Sequence, residues 1–187
     1  MPRQSSLDLG STSVLFLGGR SGVGKTSVGN EIHAQFSHSG VRHCLIDGDM
    51  LDMAFPAPWD DHLAERNLAA LWANYRALGY RRLVYVNTAS VMAGEIERLT
   101  AAMGDQPAAT AILLSCSEET ARRRLTQREV GSGLNQHLER SAAMATILDD
   151  GAPSWALRLP TDGRAVVDIA ADAISHTGWA STTTPGI

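Results

Sequence analysis

Eight residues near the start of the chain, Gly19-Arg-Ser-Gly-Val-Gly-Lys-Thr26, fit few backbone arrangements. They spell G-x-x-x-x-G-K-[ST]. An apolar run at 14–17 precedes them, and Val28, Ile32 and Phe36 follow at helical spacing. A strand, a glycine turn and a helix start are therefore expected in that order. Gly22 and Gly24 allow a tight turn that brings backbone N–H groups close to an anion. The helix that opens near Lys25 adds its positive dipole end and its unpaired N–H groups. Lys25 reaches the outer phosphates of a nucleotide and the Thr26 hydroxyl holds Mg²⁺. The plain alternative is a chance glycine turn, and the strand and helix on either side argue against it. Gly19, Arg20, Ser21, Gly22, Val23, Gly24, Lys25, Thr26 and Ser27 are thus the expected nucleotide contacts, with ATP and Mg²⁺ as cofactors.

The remaining chain alternates strand and helix patterns. Strands are expected near 13–17, 41–46, 83–86, 111–114 and 155–159. Helices are expected near 28–39, 62–78, 93–103, 117–129, 135–148 and 164–176. Gly40, Gly79 and Gly104 stand where helices end. Ser117 followed by Glu118 and Glu119 reads as a helix cap with acids in the first turn. Such alternation predicts a five-stranded parallel sheet covered by helices on both faces, a three-layer α/β P-loop fold. Right-handed crossovers then gather every strand's C-terminal end on one edge, where ligands bind. Residues 13–179 read as one domain, after a loose leader over 1–12 and before a Ser/Thr/Gly-rich tail over 180–187.

Composition narrows the partners. The net charge of −4 over 187 residues lacks the basic footprint of a nucleic-acid binder. No apolar run has the length of a membrane span, and the N-terminus lacks a signal peptide's apolar core, so a cytoplasmic location is expected. Cys44 and Cys116 fall in or beside expected strands and read as reduced thiols. The sequence is compatible with a homodimer.

Asp47-Gly48-Asp49 follows the second expected strand, beside the glycine turn. The plain reading is a solvated Asp-Gly turn. The functional one is that an aspartate here orients a substrate hydroxyl and takes its proton as the γ-phosphoryl group leaves ATP. Asp47 and Asp49 point opposite ways if the chain stays extended. Asp49 is then the substrate-facing base, and Asp47 assists Mg²⁺ and its water shell. The third expected strand ends in Val86-Asn-Thr-Ala-Ser90 without an acid, so Asn87 or Ser90 is left to meet substrate or a metal-bound water.

A glycine-rich loop joined to Asp-Gly-Asp after the second strand resembles the small-molecule kinases of the nucleoside-monophosphate-kinase-like superfamily. Gluconate kinase and adenylylsulfate kinase share the pattern, and chloramphenicol phosphotransferase is similar with one acid there. Asn67-Leu-Ala-Ala-Leu-Trp-Ala-Asn-Tyr75, Arg128-Glu-Val-Gly-Ser-Gly-Leu134 with His137-Leu138, and Thr161-Asp-Gly-Arg164 carry a resemblance to actinobacterial P-loop kinase-like proteins of unsettled substrate. The resemblance implies ATP-dependent phosphotransfer, a short arginine-bearing lid at about 129–137, and a segment flanking adenine at 160–163. Arg124 and Arg128, four apart on one helix face, would close over the transferring group. Against that stands the reading of this helix as a solvated charged face, which suits Arg122 and Arg123. Trp59, Asp60 and Asp61 lie where such folds cap the acceptor pocket, and would suit a polyhydroxylated or cationic acceptor.

The expectation is an ATP- and Mg²⁺-dependent transfer of a phosphoryl group to a hydroxyl of a small molecule. A nucleotide kinase is the nearest alternative, but the acceptor region offers only Arg66. A nucleotide-binding sensor or a partner-binding ATPase is the alternative of another class.

Overall fold

In the computed structural model the structure describes residues 10–128 and 134–179, and the side chains of Trp59 and Arg128 fall outside that description. Thirteen elements follow in order, eleven of them regular strands and helices: β1 (Ser13–Gly18), α1 (Lys25–His38), β2 (Cys44–Asp47), α2 (Leu63–Ala77), β3 (Arg82–Val86), α3 (Ala93–Met103), β4 (Ala108–Ser115), α4 (Glu118–Arg128), α5 (Leu134–Gly151), β5 (Leu157–Pro160) and α6 (Val166–Thr177). The other two are short 3₁₀ turns, Gly48–Met50 and Trp59–Asp61. The five strands form one parallel sheet in the order β2-β3-β1-β4-β5. The chain therefore has the three-layer α/β architecture expected of it. The fifth strand starts two residues later than its pattern suggested, because Pro153 to Ala156 form a turn closed by Ala156 N–H donating to Pro153 O (2.9 Å). Trp155 is consequently exposed.

Strand alternation divides the core into two halves. Leu15, Leu17, Val84, Val86, Ile112 and Leu114 point to the face covered by α1 and α6. Val14, Phe16, Leu83, Tyr85, Ala111 and Leu113 point to the opposite face, where Leu68 and Trp72 of α2, Ile96 and Leu99 of α3 and Leu148 of α5 meet them. Both faces of β1 are sealed, which is why residues 14–17 read as an unbroken apolar run.

β1 lies between β3 and β4, so the chain leaving it emerges where the crossovers diverge, the usual ligand crevice of such sheets. The same alternation then sorts side chains beyond the strand ends. Asn87 follows Tyr85 on the α2/α3 side, whereas Thr161 and Arg124 stand on the α1/α6 side of the loop. Cys44 and Cys116 are free thiols, and burial pushes the Cys44 thiol up to about 12. Among the described residues no helix is long and apolar enough to cross a membrane.

Candidate active site

The loop after β1 is built around its glycines. Gly22 and Gly24 have φ of 84° and 100°, in the left-handed region that an L side chain rarely adopts. Gly24 is the N-cap of α1, and with no side-chain cap the first amides of that helix face outward. Lys25 Nζ donates to Arg20 O across the loop (3.3 Å). Ser21, Gly22 and residues 24–27 of the loop line a small cavity of about 130 Å³ together with Asp49, Thr88, Leu125 and His137. Lys25, Thr26 and the loop amides are thus gathered on one polar hollow.

Arg20, although inside the loop, turns its side chain away from this hollow. It is buried, donating from Nε to Ser141 Oγ (3.0 Å) and from Nη1 to Glu118 Oε2 (2.5 Å). Ser141 Oγ in turn donates to Ser21 O (2.9 Å), so α4 and α5 clamp the loop from behind. Whatever Arg20 gives a nucleotide comes from its backbone.

The chain does not stay extended after β2: Gly48–Met50 is a 3₁₀ turn, so the turn and not strand alternation gives Asp47 and Asp49 different surroundings. Asp47 Oδ1 accepts the Asp49 N–H (3.1 Å) and caps the 3₁₀ turn. Asp49 faces the loop's hollow, and its Oδ1 accepts a bond from Asn87 Nδ2 (2.6 Å). Asn87 is held in place because its own Oδ1 accepts the Ala89 N–H (3.0 Å). Asp49 is open to solvent on one side but walled by protein on the other. Partial desolvation pushes its carboxyl above the ordinary aspartate range; Lys25 opposes that shift, Asp47 reinforces it and the Asn87 bond opposes it. Gly48 is required where it stands: a Cβ there would run into the Tyr85 phenol and lie 2.9 Å from Asn87 Cβ. Thr88 belongs to the site as well, its carbonyl accepting the Gly19 N–H (3.2 Å).

Two larger cavities open on either side of the hollow. On the α1/α6 side, about 280 Å³ is lined by Gly22, Gly24, Val28, Arg124, Thr161 and Ile169, among others. Arg124 Nη1 donates to Val23 O (3.1 Å) and Thr161 Oγ1 (3.1 Å), and Nη2 donates to Thr161 O (3.2 Å). Arg124 thus braces the loop against the turn after β5, and does not lie over the hollow where its closing role would put it. That turn is itself tied to α4, since Ser117 N–H and Oγ both donate to Asp162. Thr120 first, and then the Ser117 bonds, hold the Asp162 carboxyl below its usual range.

On the α2/α3 side, a cavity of about 350 Å³ lies between Gly48, Tyr85 and Asn87 on the sheet edge and Asp52, Glu65 and Glu95 opposite. Pro58 and His62 also line it, whereas Asp60 is exposed and does not. Asn67 Nδ2 donates to Leu51 O (2.5 Å) and fixes where the loop over this cavity begins. The expected lid over 129–137 lies outside the described residues up to 133, and Leu134 to His137 form the first turn of α5. His137 lines the hollow from there.

Sequence reasoning did not find Tyr85, Glu65, Glu95 or Arg98. Tyr85 reads as strand core, and Glu95 with Arg98 reads as an ordinary i, i+3 surface pair. Packing of α2 against α3 on one face of the sheet brings them to one cavity. Among the described residues no group of three or more His, Cys, Asp or Glu is gathered to hold a metal. One or two protein oxygens plus substrate phosphates suit Mg²⁺, and Thr26 in a phosphate-shaped hollow fits that pattern.

No protein-family model and no curated protein sequence matches the chain. Solved structures do. A sugar kinase from Janibacter sp. superposes with a TM-score of 0.62 at 16% identity, covering 90% of this chain and 97% of that one. A gluconokinase from Sinorhizobium meliloti gives 0.59 at 19% identity, over 88% of this chain and 90% of that one. The APS kinase of Mycobacterium tuberculosis, in complex with AMPPNP and APS, gives 0.58 at 22% identity, over 88% and 96%. The fold is that of P-loop kinases.

Proposed function

We propose that this chain is an ATP- and Mg²⁺-dependent kinase that transfers the γ-phosphoryl group to a hydroxyl of a small molecule. The observation that carries the reading is the position of Asp49. It shares the loop's hollow with Lys25 and Thr26, and through Asn87 it touches the separate cavity on the α2/α3 side. A phosphate cradle and a substrate-sized cavity meet at one carboxylate. The kinase fold of the neighbouring structures supports the same reading, as does the complex of one of them with AMPPNP and APS.

In this reading the base and ribose of ATP occupy the cavity beside Arg124 and Thr161, and the triphosphate runs over the loop amides to Lys25. Thr26, assisted by Asp47, would hold Mg²⁺, whose charge offsets that of the phosphates. The acceptor enters from the α2/α3 side with its hydroxyl toward Asp49. Asn87 occupies Oδ1, which leaves Oδ2 to accept the hydroxyl proton. The acceptor oxygen then bonds to the γ-phosphorus as the bridging bond to ADP breaks, and the proton stays on Asp49. An aspartate whose affinity for protons is raised is a better base than an ordinary one. Arg128 is proposed to add positive charge over the transferring group.

The two halves of the site are separable by mutation. Lys25→Ala abolishes ATP turnover. Asp49→Asn leaves ATP affinity within a factor of about two and lowers acceptor phosphorylation by roughly 10²–10⁴. Calorimetric titration with AMPPNP alongside ADP release reads both. Loss of nucleotide binding in Asp49→Asn would remove Asp49 from the base role.

A further inference from the structure

The acceptor cavity has a chemistry of its own. Three of its lining residues, Asp52, Glu65 and Glu95, are carboxylates, and Asp49 stands beside it. Its one guanidinium, Arg98, is already engaged: it pairs with Glu95 and reaches Glu65 at 3.6 Å. His62 Nδ1 lies 3.6 Å from the same Glu65 oxygen. An anionic acceptor would meet excess negative charge and would have to pull Arg98 from two carboxylates. Opposite them stands Tyr85. Its side chain is 2% exposed, it lines the cavity, and its hydroxyl has no hydrogen-bond partner among the described residues. The ring is buried while the residue lines the cavity, so the hydroxyl is left to meet whatever the cavity holds. Burial first, then Asp49, Asp52, Glu65 and Glu95, push its ionisation well above the ordinary tyrosine range, so it remains a neutral donor and acceptor.

We infer that the acceptor is a polyhydroxylated small molecule bearing a protonated amine, with a hydroxyl on Tyr85 and Asn87 and the ammonium against Glu65 and Glu95. This rests on the kinase reading above and adds the charge of the substrate. The transferred group goes to a hydroxyl, because the amine is held on the carboxylates opposite the sheet edge from which Asn87 bonds Asp49. Recognition by sign of charge is also discrimination: a carboxylated or phosphorylated analogue of the same ring is repelled.

The test uses the full chain with AMPPNP and Mg²⁺, titrated with matched probes. Glucosamine and 2-deoxystreptamine carry amines, glucose and myo-inositol are neutral, and gluconate and glucose 6-phosphate are anionic. The amine-bearing probes are expected to bind at least ten-fold more tightly than the neutral ones, with the anions weaker still. Glu65→Gln/Glu95→Gln, which releases Arg98, is expected to erase the amine preference and raise gluconate affinity several-fold. Tyr85→Phe is expected to weaken amine-bearing and neutral probes by the same factor. Equal or tighter binding of the anions by the wild type, or no binding of any amine-bearing probe, overturns the inference. AMPPNP affinity, compared between wild type and Lys25→Ala in the same series, separates the two levels. If it does not depend on Lys25 the kinase reading itself fails, whereas Lys25-dependent AMPPNP binding with anion-preferring acceptor binding sinks only the charge assignment.

Discussion

Asp49 shows how far a single residue can be read. Its place after an expected strand and beside the glycine loop was legible, but the 3₁₀ turn that sets it apart from Asp47, where an extended chain was expected, was not. Nor were its bond to Asn87 and its raised proton affinity, because they depend on how β2 and β3 pair. The raised affinity has a consequence for stability. A carboxyl whose folded-state affinity for protons exceeds the unfolded one favours the fold below the unfolded aspartate range, near pH 4, and loses that contribution as pH rises through the folded value. Ionised Asp49 is therefore a small liability at neutral pH, which the proposed base role would account for. Asp49→Asn is expected to melt at or slightly above the wild-type temperature at pH 7.5 while losing transfer. A clearly lower melting temperature would mean that Asp49 holds the site together and does not strain it. The acid limb of the wild-type rate profile is expected above the ordinary aspartate range.

At the scale of elements, the turn after β2 and the helix α4 each do something their sequences only half disclosed. Gly48 looked like the middle of a permissive Asp-Gly turn. In the structure it is the point where the β2 exit passes against Tyr85 and Asn87. Gly48→Ala is expected to push Tyr85 aside and weaken acceptor binding more than ATP binding, which paired titrations would read. The arginines of α4 were legible as a cluster, but their division of labour was not. Arg122 and Arg123 are exposed, as a solvated face requires. Arg124 braces Val23 O and Thr161, a contact between residues 37 and 101 positions apart. Bonds to a charged donor are each worth about 1.5–3 kcal/mol when lost. Arg124→Ala is expected to lower the melting temperature by several degrees and raise the KM for ATP about ten-fold. An unchanged KM with lowered stability would make the brace purely structural.

At the scale of the whole molecule, the two cavities proposed for donor and acceptor lie on opposite faces of one sheet. That arrangement follows from period-2 alternation, and its outline was readable: five strands with helices on both faces. The strand order and the pairing across it were not readable, since parallel strands meet through contacts far apart in sequence. The α1/α6 face also carries a histidine pair, exposed His33 against buried His43, that no local pattern announced. His33 Nδ1 lies 2.8 Å from His43 Nε2, and His43 Nδ1 lies 2.8 Å from Val41 O. Burial lowers the His43 proton affinity, with His33 and Arg82 adding to the shift against the Val41 bond. A histidine whose folded value is depressed contributes stability above its unfolded pKa, near 6.5, and loses it as pH falls below that. The melting temperature is expected to drop between pH 7.5 and 5.5, and His43→Gln to shrink that drop. An equal drop in the variant would assign it elsewhere.

The central claim is phosphoryl transfer at Asp49, and ³¹P NMR reads it without naming the acceptor in advance. The protein with Mg²⁺ and ATP is incubated against sugars, amino sugars, nucleosides and aminoglycosides. The account predicts a new phosphomonoester resonance that grows in step with ADP, in at least one amine-bearing polyol, and that vanishes in Asp49→Asn. ATP converted only to ADP and inorganic phosphate, whatever acceptor is present, would contradict it.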